Sequence, residues 1–243
     1  MRLLRLALRR ETAMVVLALL LASGVSIALV AARIFWTGNW KYGFMGWNLF
    51  LAWLPLAFAL LACEAFDTPV KRNWRFWSFA GAWLLFFPNA PYIFTDIIHL
   101  YSPVAGHFWI DLVLVLLCAL TGLVLGFVSL FLMQSVIRRV LGQAASWLFI
   151  ALVAGLSGFG IYLGRFLRFN SWDVVIKPFA LSRGIGHWAS DPFGHPSSVA
   201  FPLLFGTFLF VAYVMLYALT HLQQGPQLTL QTTKAIPGTP GSH

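Results

Sequence analysis

Charge is what this chain lacks. Lys, Arg, Asp and Glu make up 9% of its 243 residues, and only seven of those side chains are acidic. A water-soluble domain carries about 25% charged residues, so there is too little charge here to cover a solvated surface. Cysteine is almost absent as well. Cys63 and Cys118 lie inside apolar segments, which argues against a disulfide framework and leaves the redox compartment unspecified. No full catalytic signature occurs, and no cofactor is implied. What the chain has in abundance is apolar surface: 60% hydrophobic and 16% aromatic residues, with 11 Trp, 23 Phe and a mean hydropathy of +0.83. Such a composition suits lipid-facing helices and interfacial aromatic belts. The net charge of +9 is no nucleic-acid signal, because the basic residues form short clusters between apolar runs, where they orient a chain in a bilayer.

Crossing a hydrocarbon core roughly 30 Å thick takes about 20 apolar residues. Six runs are candidates, near Ala13–Ala32, Phe44–Cys63, Trp77–Phe94, Phe108–Met133, Ala145–Gly164 and Val199–Thr220. The expected fold is all-α, a polytopic membrane helical bundle of about six transmembrane helices. Residues 1–12 read as a basic cytoplasmic N-terminus, 13–221 as a single transmembrane domain, and 222–243 as a disordered polar tail. The first run follows Arg2, Arg5, Arg9 and Arg10, as a signal peptide would. It exceeds the roughly 7–15 residues of a signal core, which favours an uncleaved anchor. With the N-terminus inside, 10 Lys and Arg fall on the inner side and 6 on the outer. That bias predicts a multi-pass protein of the cell (inner) membrane with both termini cytoplasmic, and the lipid bilayer as its surroundings. The outer loop Ser171–Pro196 mixes apolar and charged residues and is expected to lie along the membrane surface.

The third run is interrupted. Residues Phe86 to Asp96 read Phe-Phe-Pro-Asn-Ala-Pro-Tyr-Ile-Phe-Thr-Asp. Pro88 and Pro91 each remove a backbone donor, and Phe87 and Ala90 before them are pushed from helical angles. The expectation is a third helix broken at Pro88/Pro91, with Asn89 satisfying freed carbonyls or holding a ligand. Alternatively the helix starts earlier and merely ends at the interface. Asp96 and His99 are three apart and share a face if that stretch is helical. Such a pair can act as an acid–base pair or supply two metal ligands, but a third and fourth ligand are not evident, and an ordinary helix start capped by Thr95 or Asp96 explains the residues too. Asp111 opens the fourth run, where the helix dipole favours a carboxylate, or where an arginine of the fifth run can pair with it.

The fifth run carries Gly160 and Gly164, a spacing that admits close helix packing. It ends in Arg165 and Arg168, three apart on one predicted face, followed by Asn170 and Asp173. Guanidinium groups at a membrane edge snorkel, pair with Asp, or bind an anion. Asn48 lies early in the second run. With the topology above, Asn48, Asn89, Asp96, His99, Asp111, Arg165, Arg168, Asn170 and Asp173 all fall in the outer half. Polar residues at that depth are candidate ligand-binding residues.

At these residues the chain resembles the bacterial membrane family called "domain of unknown function 1361". The resemblance is carried by Trp47–Pro55, by Phe87-Pro88-Asn89-Ala90-Pro91-Tyr92 with Thr95-Asp96, and by Tyr162–Phe166 continuing to Asn170-Ser171-Trp172-Asp173. It implies a multi-span bacterial inner-membrane protein and no established activity. Three functions remain open. One is an outward-facing protein that binds or transports an anionic or zwitterionic small molecule or lipid headgroup. The second is a membrane enzyme acting on an envelope lipid through Asp96, His99 and Asp111. The third is a non-catalytic assembly partner.

Overall fold

Lipid offers no hydrogen bonds, so each apolar run must satisfy its own backbone, and the helix does this within one segment. The computed structural model describes residues 10–67, 72–100, 108–191 and 196–222, with no strand among the described residues. Arg2, Arg5, Arg9, Lys71, His107, His195 and the tail beyond Leu222 lie outside the described residues. The order is α1 (Arg10–Thr37), α2 (Phe44–Asp67), α3 (Arg72–Phe86), α4 (Asn89–Tyr92), a 3-10 helix (Ile93–Leu100), α5 (Phe108–Arg165), α6 (Asp173–Ile176), α7 (Pro178–Ser190) and α8 (Pro196–Leu222). Among the described residues four helices are long and apolar enough to cross a membrane: α1, α2, α5 and α8. The chain is an all-helical membrane protein.

α5 has 58 residues and would measure about 87 Å if straight, far beyond one bilayer core. It is not straight. Gly142 has φ 85° and ψ 179°, angles open essentially to glycine alone. Two side chains show the chain folding back there. Trp83 donates Nε1–H to Ser129 Oγ at 3.2 Å on the first arm and stacks on Phe149 of the second, with centroids 5.8 Å apart. Tyr213 of α8 likewise meets Phe127 at 5.6 Å and Trp147 at 6.4 Å. The expected runs Phe108–Met133 and Ala145–Gly164 are thus the two arms of one helical hairpin.

The third run is built differently from the rest. α3 has only 15 residues, ends at Phe86, and passes through a turn into α4 and the 3-10 helix. Ala90, expected to leave helical angles ahead of Pro91, instead lies inside α4, and Pro88 has φ −59° and ψ −23°. The reason is position: Pro88 caps α4 and Pro91 falls in its first turn, where a missing N–H costs no intrahelical bond. Glycines on both arms of α5 make room for this segment. A Cβ on Gly122 would stand 2.7 Å from Ala90 O, and one on Gly160 would stand 2.9 Å from Pro88 Cγ. The close-packing pair of the fifth run, Gly160 and Gly164, therefore faces the proline segment, against Pro88 and Tyr92. Phe87 belongs to one buried apolar cluster, with Trp83, Phe127 and Ile150, and Ala90 and Ile93 to the other, with Met45, Leu49 and Val115.

The bundle has two ends of different character. At one, Asp67 of α2 meets Arg139 at 3.6 Å near the Gly142 reversal, and Arg138 reaches Tyr217 OH at 3.5 Å. At the other lie the end of α1, the start of α2, the 3-10 helix and both termini of the α5 hairpin. Exposed Trp36, Trp40, Trp47 and Trp109 ring this second end, and exposed Trp74 and Trp77 mark the first.

Candidate functional site

Asp96 is the point on which the second end converges. It is 1% exposed, and a carboxylate there is tolerable only if paired. Its partners come from three helices. Arg165, the last residue of α5, donates from Nη2 to Asp96 Oδ1 at 2.5 Å. Asn48, in the second turn of α2, donates from Nδ2 to Asp96 Oδ2 at 2.9 Å. His99, one turn on in the 3-10 helix, places Nδ1 3.2 Å from Asp96 O and 3.8 Å from Oδ1.

Arg165 is held as firmly as the carboxylate. Nε and Nη2 donate to Thr95 Oγ1 at 3.1 and 2.6 Å, and Thr95 passes the chain of bonds on by donating to Tyr92 O at 2.7 Å. The guanidinium carbon sits 4.7 Å from the centre of the Tyr92 ring, a cation–π contact. Thr95 and Asp96, either of which the sequence offered as a helix cap, are inside the 3-10 helix and serve the arginine. Arg165 Nη1, Asn48 Oδ1 and His99 Nε2 are polar atoms of this group without a hydrogen-bond partner among the described residues.

Beside these atoms is a cavity of about 250 Å³. Asn48, Asp96, His99, Arg165 and Asn170 give it a polar lining, and Phe44, Tyr92, Phe169 and Gly164 complete the wall. Ligand cavities for drug-sized molecules run from about 300 to 1,000 Å³, so this one suits a smaller solute or a headgroup. Among the described residues no three of His, Cys, Asp and Glu gather as a metal site. The chemistry on offer is a planar cationic donor, a neutral amide acceptor and an imidazole, with the arginine's charge already balanced by Asp96.

The remaining candidates divide. Asn89 does not line the cavity; its Nδ2 donates to Phe86 O and to Ser171 Oγ, both at 3.0 Å, so it satisfies a carbonyl freed ahead of the prolines. Asp173 is buried and accepts the Asn170 backbone N–H at 2.7 Å, which shapes the turn that carries Asn170 to the cavity. Arg168 does not share a face with Arg165. The helix stops at Arg165, Arg168 takes φ 58°, and its side chain is exposed. Asp111 pairs across the bundle with α1 rather than with the fifth run. Arg33 donates Nε to Oδ1 at 2.5 Å and Nη2 to Oδ2 at 3.2 Å, and Tyr42 OH donates to Oδ2 at 3.0 Å. Burial, then the bond to Asp111, pushes the Tyr42 phenol up to about 12, so it remains a donor throughout the physiological range. This second network fixes α1 to the hairpin, outside the cavity.

The motifs that meet here are those of a described family. The model for "Protein of unknown function (DUF1361)" matches residues 47–223, from the first turn of α2 through the end of α8. The chain belongs to this family. The matched span contains each polar residue of the cavity, and leaves α1, Arg33, Tyr42 and Phe44 outside it. No curated protein and no solved structure matches the chain.

Sequence reasoning missed Phe44 and Phe169 as walls, and Arg33 and Tyr42 as the partners of Asp111. The first two are single aromatics in an aromatic-rich chain. Arg33 had a signal, an arginine four residues from the end of an apolar helix, which must pair or snorkel.

Proposed function

We propose that this membrane protein binds a small anionic or zwitterionic solute, or the headgroup of a lipid, in the Arg165 cavity, and that it works as a binding or transport protein. The observation that carries the reading is Arg165 Nη1. Its guanidinium is fixed by Thr95, Asp96 and Tyr92, yet this nitrogen has no partner among the described residues, and Arg165 lines a polar cavity. A preorganised guanidinium presents the N–H donors of Nη1 to a carboxylate or phosphate with little further ordering. Asn48 Oδ1 supplies an acceptor, and His99 Nε2 a second polar partner, for a ligand that also carries a donor. The reading includes orientation: the Arg138–Arg139 end faces the cytoplasm and the cavity opens on the outer side of a bacterial cell membrane.

Catalysis by Asp96 and His99 ranks lower because both Asp96 oxygens are already engaged by Arg165 and Asn48. Mass spectrometry of small molecules and lipids that co-purify with the protein tests the binding reading. A ligand present in the native chain should be lost from Arg165→Lys, which keeps the charge but not the planar fork, and retained in Arg168→Ala. Equal retention in both variants contradicts the proposal.

A further inference from the structure

At the opposite end of the bundle an apolar cleft of about 410 Å³ opens between the first arm of α5 and α8, with Val15 of α1 at its edge. Val124, Val128 and Phe131 line one wall, and Tyr213, Leu216 and Tyr217 the other. Positions 124 to 131 cover about 10 Å along the helix, so the cleft is a groove running parallel to the bundle. Its lining contrasts with that of the Arg165 cavity, since hydroxyls of tyrosine and Thr220 are its main polar groups.

One end of the groove is cationic. Arg138 Nη1 lies 3.5 Å from Tyr217 OH, and Arg138 is exposed with no carboxylate within ion-pair distance among the described residues. Its neighbour Arg139 is occupied by Asp67. An apolar groove between membrane helices, with an arginine bonded to a tyrosine of its wall and without a carboxylate partner among the described residues, suits a phospholipid: a chain along the groove, and a phosphate at the guanidinium. We propose that this cleft holds one acyl chain of an anionic phospholipid from the surrounding leaflet, with its phosphate on Arg138 and Tyr217 OH. The net charge of +9 favours an anionic headgroup over a zwitterionic one. This site is separate from the Arg165 cavity and does not depend on that cavity's role.

Native mass spectrometry of the full chain in detergent, titrated with phosphatidylglycerol or phosphatidylcholine, tests it. The anionic lipid should bind at least fivefold more tightly than the zwitterionic one. Arg138→Ala should remove that preference, while Val128→Trp, which fills the groove, should weaken both lipids. Arg75→Ala, exposed on α3 and outside the groove, should change neither. Thermal unfolding of each variant in detergent confirms that it is folded. A second arm identifies the occupant directly: a photo-crosslinking residue at Leu216 should capture lipid. Anionic preference that survives Arg138→Ala, binding that survives Val128→Trp, or capture of the chain's own residues 223–243 in place of lipid would overturn the proposal.

Discussion

Arg165→Ala leaves Asp96 buried at 1% exposure with Asn48 as its remaining side-chain donor. Two effects compete for the size of the loss. Interhelical hydrogen bonds in membrane proteins average about 0.6 kcal/mol, so losing the three bonds from Arg165 to Thr95 and Asp96 would cost about 2 kcal/mol. Stranding a buried charge costs about 3–5 kcal/mol. Arg165 and Asp96 form an ion pair at 2.5 Å, so the second effect dominates, and removing the charge should return part of the loss. Arg165→Ala should therefore destabilise by about 3–5 kcal/mol, and the double variant Asp96→Asn/Arg165→Ala by about 2 kcal/mol less than that. Unfolding free energies in mixed detergent micelles, followed by fluorescence of the 11 Trp residues, measure both. Additivity of the two substitutions within about 0.5 kcal/mol would show that the residues are not coupled and would refute the pairing.

The glycines that admit the proline segment give a paired test. Gly122→Ala should cost about 1–3 kcal/mol because Ala90 O cannot move aside, whereas Gly46→Ala, with nothing within 4 Å, should be neutral in the same unfolding assay. Gly142→Ala should cost about 1–3 kcal/mol, read by the same method, because no side chain adopts its angles without strain. Asp111→Asn should loosen α1, seen as faster hydrogen exchange in residues 30–37, with Arg165-dependent ligand retention unchanged. The Tyr42 phenol is raised in the folded state, so its contribution to stability is complete below pH 10 and is lost as pH rises towards about 12; unfolding curves for Tyr42→Phe and the native chain should converge over that window.

Much of this arrangement was readable because lipid makes polar side chains expensive. Asn48, Asp96, His99, Arg165 and Asn170 stood out as polar positions in apolar runs or at their edges, and they line one cavity. What the sequence hid were facts of tertiary direction. Asp111 meets Arg33 across 78 positions, and no spacing rule reaches that far. Arg168 was grouped with Arg165 by helical periodicity, which fails because the helix ends between them. The proline segment illustrates both sides. Its two missing N–H groups were evident, but the glycines of the α5 hairpin that cover it, and the short helix whose first turn absorbs Pro91, are properties of the packed bundle.

The account depends most on a cavity that opens at one end of the bundle, on the outer face. Single cysteines at His99, Asn170 and Asp67, introduced after replacing Cys63 and Cys118, can be probed with a membrane-impermeant thiol reagent on intact cells. The account predicts that positions 99 and 170 label from outside, and that position 67 labels only after lysis. Labelling at 67 from outside, or none at 99 and 170, would contradict it.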